Sequence, residues 1–263
     1  MKKFNELANL SGRSAILTGG AGNIGLAVAE TLIELGARVA IVDLDQTACE
    51  ERSKFLGANA LPFACDLKHE QAVRETVRST IKAFGSLDIL IHCAAYVGTT
   101  NRPGWNVPFS QQSVVAWDDA LRVNLTSAFI LAQEARDALI ASGHGSVIFF
   151  SSTYGMVGPD MGLYTDTNMT NPAAYGASKG GLLQLSRYLA TVFAPKVRVN
   201  AISPGGVWRN QPEIFHERYQ ARTPLQRMAH EEDLKGATAF LASDLSAYVT
   251  GHNLVVDGGW TAW

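Results

Sequence analysis

Cysteine is scarce in this 263-residue chain, and the three present, Cys49, Cys65 and Cys93, lie far apart. No Cys-x-x-Cys pair occurs, so neither a disulfide framework nor a zinc centre is expected. The thiols read as reduced, mostly buried side chains. Charge of one sign is lacking too, with 22 Lys and Arg against 24 Asp and Glu. The basic residues are spread out, so neither nucleic acid nor an anionic membrane is expected as a partner. No run approaches ~18 consecutive apolar residues, which argues against a helical membrane span. The basic start Met1-Lys2-Lys3 is followed by Asn5, Glu6 and Asn9 rather than by a secretory apolar stretch, so a cytoplasmic protein is expected. Repeats, low-complexity tracts and linkers are missing as well. The chain therefore reads as one domain over 1–263, a length that α/β folds often reach as a single unit.

Short apolar runs alternate with segments of helical periodicity. Ala15-Ile16-Leu17, Val39-Ala40-Ile41-Val42, 60–64, Ile89-Leu90-Ile91, 147–150, 197–202 and 254–256 read as strands. Residues 24–35, 46–56, 69–83, 117–141 and 173–193 read as helices, the third with Ala72, Val73, Val77 and Ile81 on one face. This alternation predicts an α/β fold, a doubly wound parallel sheet of Rossmann type with about seven strands and helices on both faces. Three longer stretches, 96–112, 154–172 and 204–228, read as loops, and each follows a strand. Ligands bind at the carboxyl ends of such strands, so these loops should gather over one cleft.

The turn after the first strand is Thr18-Gly19-Gly20-Ala21-Gly22-Asn23-Ile24-Gly25. Glycines let the backbone approach a pyrophosphate, and the helix that follows favours its charge. Asp43 ends the second strand, where a carboxylate accepts from adenosine ribose hydroxyls and repels a 2′-phosphate. No Lys or Arg stands within 19–25 or beside Asp43 to offset that repulsion, so NAD is expected rather than NADP. Farther on, Asn124 lies mid-chain, Ser152 follows an apolar strand, and Tyr175 and Lys179 are four apart on a helix, hence on one face. A lysine ammonium beside a tyrosine favours phenolate and lowers a pKa that is otherwise about 10.

In this order the glycine turn, Asn124, Ser152 and the Tyr175-x-x-x-Lys179 pair resemble the short-chain dehydrogenase/reductase family along nearly the whole chain. The resemblance implies a secondary alcohol/ketone oxidoreductase. Tyr175 would move the hydroxyl proton and Ser152 would hold the substrate oxygen. Lys179 would bind the nicotinamide ribose, and Asn124 would anchor a water chain from Lys179. It also implies a cofactor site of Gly19, Asn23, Ile24 and Gly25 at the pyrophosphate, Asp66 and Leu67 at the adenine, and Ala94 against the cofactor. Pro204, Gly205 and Val207 would lie at the nicotinamide end, with Tyr175 and Lys179. Asp66 is equally suited to cap the helix beginning near His69.

The chain departs from the family pattern in places. Asn23 replaces a glycine, and His92-Cys93-Ala94-Ala95 stands for the usual Asn-Asn-Ala-Gly. Asn tolerates left-handed backbone, so the turn can survive. His92 has no second ligand at useful spacing and reads as a buried structural histidine, with no metal expected. Arg209 stands where a Thr is usual; it suits an acidic group on the substrate or plain solvation.

Residues 158–170 lengthen the path from Ser152 to Tyr175 and are rich in Asp, Asn and Thr. With the stretch 203–213 they are similar to oxidoreductases of bacterial surface-sugar and flagellin-modification pathways. A polyhydroxylated, sugar-like small molecule is the substrate this implies. A 3-oxoacyl-thioester (acyl carrier protein) reductase is the alternative, disfavoured by Asp43, and a non-catalytic nucleotide-binding protein is the third. A lid is expected over 211–228, with Trp208, Phe215 and Tyr219 as its apolar contacts. The apolar helices 117–141 and 173–193 and the terminal Trp260 and Trp263 suggest a homodimer or homotetramer.

Overall fold

The computed structural model describes residues 1–98 and 100–263; Thr99, inside the expected 96–112 loop, lies outside the described residues. Among the described residues the apolar runs become seven strands: β1 (Ser14–Thr18), β2 (Arg38–Asp43), β3 (Ala60–Ala64), β4 (Ile89–His92), β5 (Gly145–Phe150), β6 (Val197–Pro204) and β7 (Asn253–Val256). They form one sheet in the order β3-β2-β1-β4-β5-β6-β7, each neighbouring pair parallel. Parallel neighbours cannot be joined by a tight turn, so helices carry the crossovers. These are α2 (Asn23–Glu34), α3 (Gln46–Leu56), α4 (Glu70–Phe84), α5 (Val114–Leu121), α6 (Ser127–Ser142), α7 (Ala173–Phe193), α8 (Glu213–Arg222) and α9 (Lys235–Ala242), after a short α1 (Phe4–Ala8).

The strands read as unbroken apolar runs because both faces are covered. Along β1, Ala15 and Leu17 pack with Val28 and Leu32 of α2 and Leu241 of α9. Ile16, pointing the other way, packs with Val73 and Val77 of α4, Leu131 of α6 and Leu182 of α7. Both core layers are sealed, and Ile16, Leu17 and Leu131 have no exposed surface. Truncating any of the three to alanine should cost about 2–5 kcal/mol.

The register aligns Thr18 with Val42 on one side and His92 on the other. Strand order reverses between β1 and β4, and the crevice at that reversal is where such sheets bind ligands. The carboxyl ends of β1, β2, β4, β5 and β6 therefore bring together Thr18, Asp43, His92, Phe150 and Pro204.

Three segments differ from the sequence reading. The expected helix 117–141 is two helices joined by a π turn, Arg122–Thr126, that contains Asn124. It also starts earlier, at Val114, because Ser113 caps it by accepting from Ala116 N. The expected loop 204–228 contains α8, which Pro212 precedes and Arg222 ends. The helices α1 and α9 span only five and eight residues, too few for a helical period to repeat clearly.

Candidate active site

The glycine turn has the shape an anion needs. Gly19 has φ +72° and lies so close to Ala94 that a Cβ would sit 2.6 Å from the Ala94 nitrogen. A Cβ on Gly25 would sit 2.0 Å from the Gly19 carbonyl oxygen. Gly22 precedes α2 with no side-chain cap, and Gly22 and Asn23 are exposed. The first-turn N–H groups therefore face outward unspent, as a pyrophosphate requires. Asn23 is the first residue of a right-handed helix, so left-handed tolerance is not what that position demands. The replaced glycine is dispensable for that reason.

Asp43 reaches back to this turn, Oδ2 accepting from Ala21 N at 3.1 Å and Oδ1 from Leu44 N at 2.8 Å. Arg52, two turns along α3, donates from Nε to the Ala21 carbonyl at 3.1 Å. Arg52 is not adjacent to Asp43 in sequence; its place on α3 is what turns it toward the glycine turn. Asp66 accepts from Lys68 N at 3.0 Å and lies 3.5 Å from His69 Nε2, a turn-stabilising arrangement ahead of α4. Leu67 is buried, and Ala94 is half-buried against Gly19. At the far side Gly205 N donates to Val256 O, and Val207 bridges to Ala229. Gly206 N donates to the Tyr219 hydroxyl, which ties this segment to α8.

The four residues singled out for chemistry converge. Ser152 follows β5; its Oγ accepts from Tyr154 N at 3.2 Å and lies near enough to the Tyr175 phenol to favour its ionised form. Lys179, one turn beyond Tyr175 on α7, is only 3% exposed. Its Nζ lies 5.7 Å from the Tyr175 ring centroid and donates to Phe150 O at 2.6 Å. Burial pulls the Lys179 ammonium down to about 8. Burial also pushes the Tyr175 phenol up, and the nearby Ser152 side chain opposes the shift. The net shift of the Tyr175 phenol is thus upward, opposite to the lowering expected from Lys179, because burial is its largest cause. Asn124 is fully buried, Oδ1 accepting from Tyr96 N at 2.7 Å and Nδ2 donating to Ser178 Oγ at 2.9 Å. Both ends of its side chain thus bond to protein, and its backbone carbonyl meets His92 Nε2 at 3.1 Å. His92 is fully buried between Thr18 and Asn124. Burial, with the Lys179 charge second, holds its ring at about 3, so it is neutral. Among the described residues no group of three metal-ligating side chains occurs.

The insertion is arranged differently from its composition. Asp160 pairs with Arg222 at 2.9 Å, Asp166 lies 3.7 Å from Arg218, and Arg218 also donates to the Thr165 carbonyl. The carboxylates are turned to α8 and do not face the site. What the insertion presents inward is Leu163 and Tyr164, buried with Phe215, Tyr219, Met228 and Trp260. This stretch therefore contributes to an apolar wall despite its polar composition. A short polar segment can bury its few apolar residues when a neighbouring helix takes its charges. Tyr164 donates to the Tyr154 hydroxyl at 3.1 Å, and neither tyrosine has a lysine four residues on, as Tyr175 has. Trp260 is 4% exposed, packed on Tyr219 and Tyr154 under the Arg222 guanidinium, and is not free for a subunit interface; Trp263 is exposed. Arg209 is paired with Glu231 and is not free for a substrate acid. A cleft of about 310 Å³ between Asp160, Arg222, Trp260 and Trp263 holds none of the four converging residues. The chemistry, and not the size of a cleft, picks out the site.

Such an arrangement can hold an alcohol or carbonyl oxygen between Ser152 and Tyr175 and move a proton there. Comparison with known proteins agrees. The family model described as enoyl-(acyl carrier protein) reductase matches residues 19–261. The 2-(S)-hydroxypropyl-CoM dehydrogenase 3 of Xanthobacter autotrophicus is 33% identical over 94% of this chain and 95% of its own length. A short-chain type dehydrogenase/reductase from Mycobacterium marinum is 28% identical with a TM-score of 0.86, each chain wholly covered. An NAD+-bound xylitol dehydrogenase is 30% identical with a TM-score of 0.83, over 95% of this chain and 99% of that one.

Proposed function

Because the chain belongs to the short-chain dehydrogenase/reductase family, an enzyme family acting on CH–OH groups with a nicotinamide cofactor, we propose that it is an NAD(H)-dependent oxidoreductase interconverting a secondary alcohol and a ketone on a polyhydroxylated small molecule. The observation that carries this is the buried Lys179 one turn beyond Tyr175, its Nζ 5.7 Å from the Tyr175 ring centroid, at the end of the sheet where Ser152 follows β5. A bound nicotinamide supplies the hydride acceptor or donor. Tyr175 moves the hydroxyl proton at its phenol oxygen, and Ser152 Oγ holds the same substrate oxygen. Lys179, fixed on the Phe150 carbonyl, supplies the positive charge that favours phenolate once the substrate proton has to move. Asn124 braces the start of α7 through Ser178.

Gly19, Asn23, Ile24 and Gly25 hold the pyrophosphate in this reading. Asp43 takes the ribose hydroxyls, and Asp66, Leu67 and Ala94 line the adenine side and the crevice. Pro204, Gly205 and Val207 bound the nicotinamide end. NADH should bind at least about tenfold tighter than NADPH, about 1.4 kcal/mol. Asp43→Ala removes the carboxylate and leaves Arg52 as the nearest charge on the turn, so NADPH should gain affinity and the gap should close. Fluorescence titration measures both affinities, and equal affinities in the unaltered protein would refute the Asp43 assignment.

The substrate class is supported by the likeness to the xylitol dehydrogenase, an enzyme named for a polyol. Hydroxyls of Tyr154 and Tyr164 and the Asn171 amide, which donates to Tyr164 at 3.5 Å, are the polar groups among the aromatics. Assaying polyols, cyclic alcohols and 3-oxoacyl thioesters side by side tests this. Preference for the thioester would replace the polyol reading by the acyl-reductase one.

A homodimer or homotetramer follows from apolar side chains left exposed on the helices behind the site. Trp117, Phe129, Tyr188 and Val192 are 38–59% exposed. Covering such side chains is favourable at about 25 cal/mol per Å². Light scattering at micromolar concentration should give two or four copies, and a monomer would count against the assignment.

A further inference from the structure

His92 ends β4 with no exposed surface, and the chemistry proposed above does not use it. Its neighbours fix which nitrogen carries the proton. The Asn124 carbonyl can only accept, so Nε2, 3.1 Å away, is the donor. The ring is neutral, so Nδ1 is bare and accepts from Thr18 Oγ1 at 2.8 Å. The direction continues past Asn124. Tyr96 N can only donate, which fixes Oδ1 as its acceptor and leaves Nδ2 to donate to Ser178 Oγ. Ser178 in turn donates its own proton to the Tyr175 carbonyl at 2.8 Å. A run of hydrogen bonds with one sense thus leads from the first strand to the residue proposed to move the proton.

The π turn explains why the Asn124 carbonyl faces His92. Its extra residue displaces the regular ladder, so the Ser127 N–H reaches back to Arg122 O. Displaced carbonyls then need donors other than the backbone ladder. His92 supplies one from β4, and the Ser127 hydroxyl supplies another to Val123 O at 2.6 Å. A proton-carrying role for His92 does not fit, because both ring nitrogens are engaged and the ring is shut off from solvent.

We infer that His92 is a positioning residue: by pinning the Asn124 carbonyl of the π turn to the β1–β4 crevice, it sets, through Asn124 and Ser178, the seat of Tyr175. The inference rests on the reading of Tyr175 as the proton-transfer group. Three variants of the full chain separate the two halves of the bridge. His92→Leu keeps neither bond. His92→Asn keeps a polar group near Thr18 but is too short for the Asn124 carbonyl. His92→Gln keeps a donor that reaches it. With the best alcohol found, kcat should fall about tenfold or more in the Leu and Asn variants, since small displacements of a reacting group are costly. KM and NADH affinity should stay within about twofold, and His92→Gln should return to within about threefold of the parent.

Nitrogen-15 NMR of the histidine-labelled parent protein at neutral pH supplies a readout independent of turnover. It should show one neutral ring with a slowly exchanging proton on Nε2. A proton on Nδ1, or a Gln variant no better than Leu, would overturn the inference. So would parallel losses in kcat, KM and cofactor affinity, which mark a merely structural role. A parent protein that turns over no alcohol but shows the Nε2–H signal would refute the proposed function, and this role with it, while the bridge itself would stand.

Discussion

Replacing Tyr175 by phenylalanine should cut turnover by roughly 10² or more while leaving cofactor affinity and the unfolding midpoint nearly unchanged. The loss follows from the chemistry. The substitution deletes the phenol hydroxyl one turn from the buried Lys179, and positioned proton transfer contributes about 10²–10⁴ in rate. The retained stability follows from the packing. The Tyr175 ring lies against a small cluster of Trp105, Ala116, Ala120 and Ala174, which a phenylalanine ring fills equally well. Steady-state assays and a thermal melt check both halves. Tyr164→Phe is the control, because its hydroxyl donates to Tyr154 and takes no proton in this account. If Tyr164→Phe abolished activity and Tyr175→Phe did not, the assignment of the proton carrier would be wrong.

Lys179→Met should be the second large effect, and its two consequences point in opposite directions. Turnover should fall by about 10² or more, and cofactor affinity should fall with it, because the only buried ammonium at the site is gone. Stability should rise. The folded chain holds Lys179 at about 8, whereas the unfolded chain holds a lysine near 10.4. At neutral pH both states are protonated, so folding bears the full cost of burying the charge, roughly 3 kcal/mol by linkage. That cost is fully present below pH 8 and vanishes as pH rises toward about 10.4, where both states are neutral. Methionine avoids the cost but forfeits the bond to the Phe150 carbonyl, so a net gain of about 1–2 kcal/mol is expected at pH 7. Denaturant unfolding at pH 7 and pH 10 measures it. The gain should shrink at the higher pH, and an equal or growing gain would contradict the burial of a charged amine.

Most of the fold was legible because its signals are local. Runs such as Val39-Ala40-Ile41-Val42 are buried on both faces, so hydrophobicity alone marks them. Asn124, Ser152, Tyr175 and Lys179 were legible because side chains of that chemistry at those spacings have few other uses together. What escaped depends on partners distant in sequence. The π turn at Asn124 is held by His92, 32 residues away, and nothing within 114–142 announces it. The carboxylates of the insertion looked like substrate ligands until Arg218 and Arg222 claimed them. Trp260 looked like an interface residue because its Tyr154 and Tyr219 partners come from other loops. Arg52 reaches the glycine turn only because α3 packs beside β2. Helix α8 is a different failure, since Pro212, Glu213 and Arg222 offered start and stop signals within its own span.

The central claim is that the centre formed by Ser152, Tyr175 and Lys179 carries out NAD(H)-linked alcohol oxidation and ketone reduction. Single-turnover absorbance at 340 nm, with enzyme in excess of NAD+ and a panel of polyols and cyclic alcohols, tests it most directly. The account predicts NADH formation with at least one secondary alcohol in the parent protein, slowed by roughly 10² or more in Tyr175→Phe. Tight NAD+ binding with no NADH formed from any alcohol, and no NADH consumed by the matching ketones, would contradict it and leave a nucleotide-binding protein without turnover.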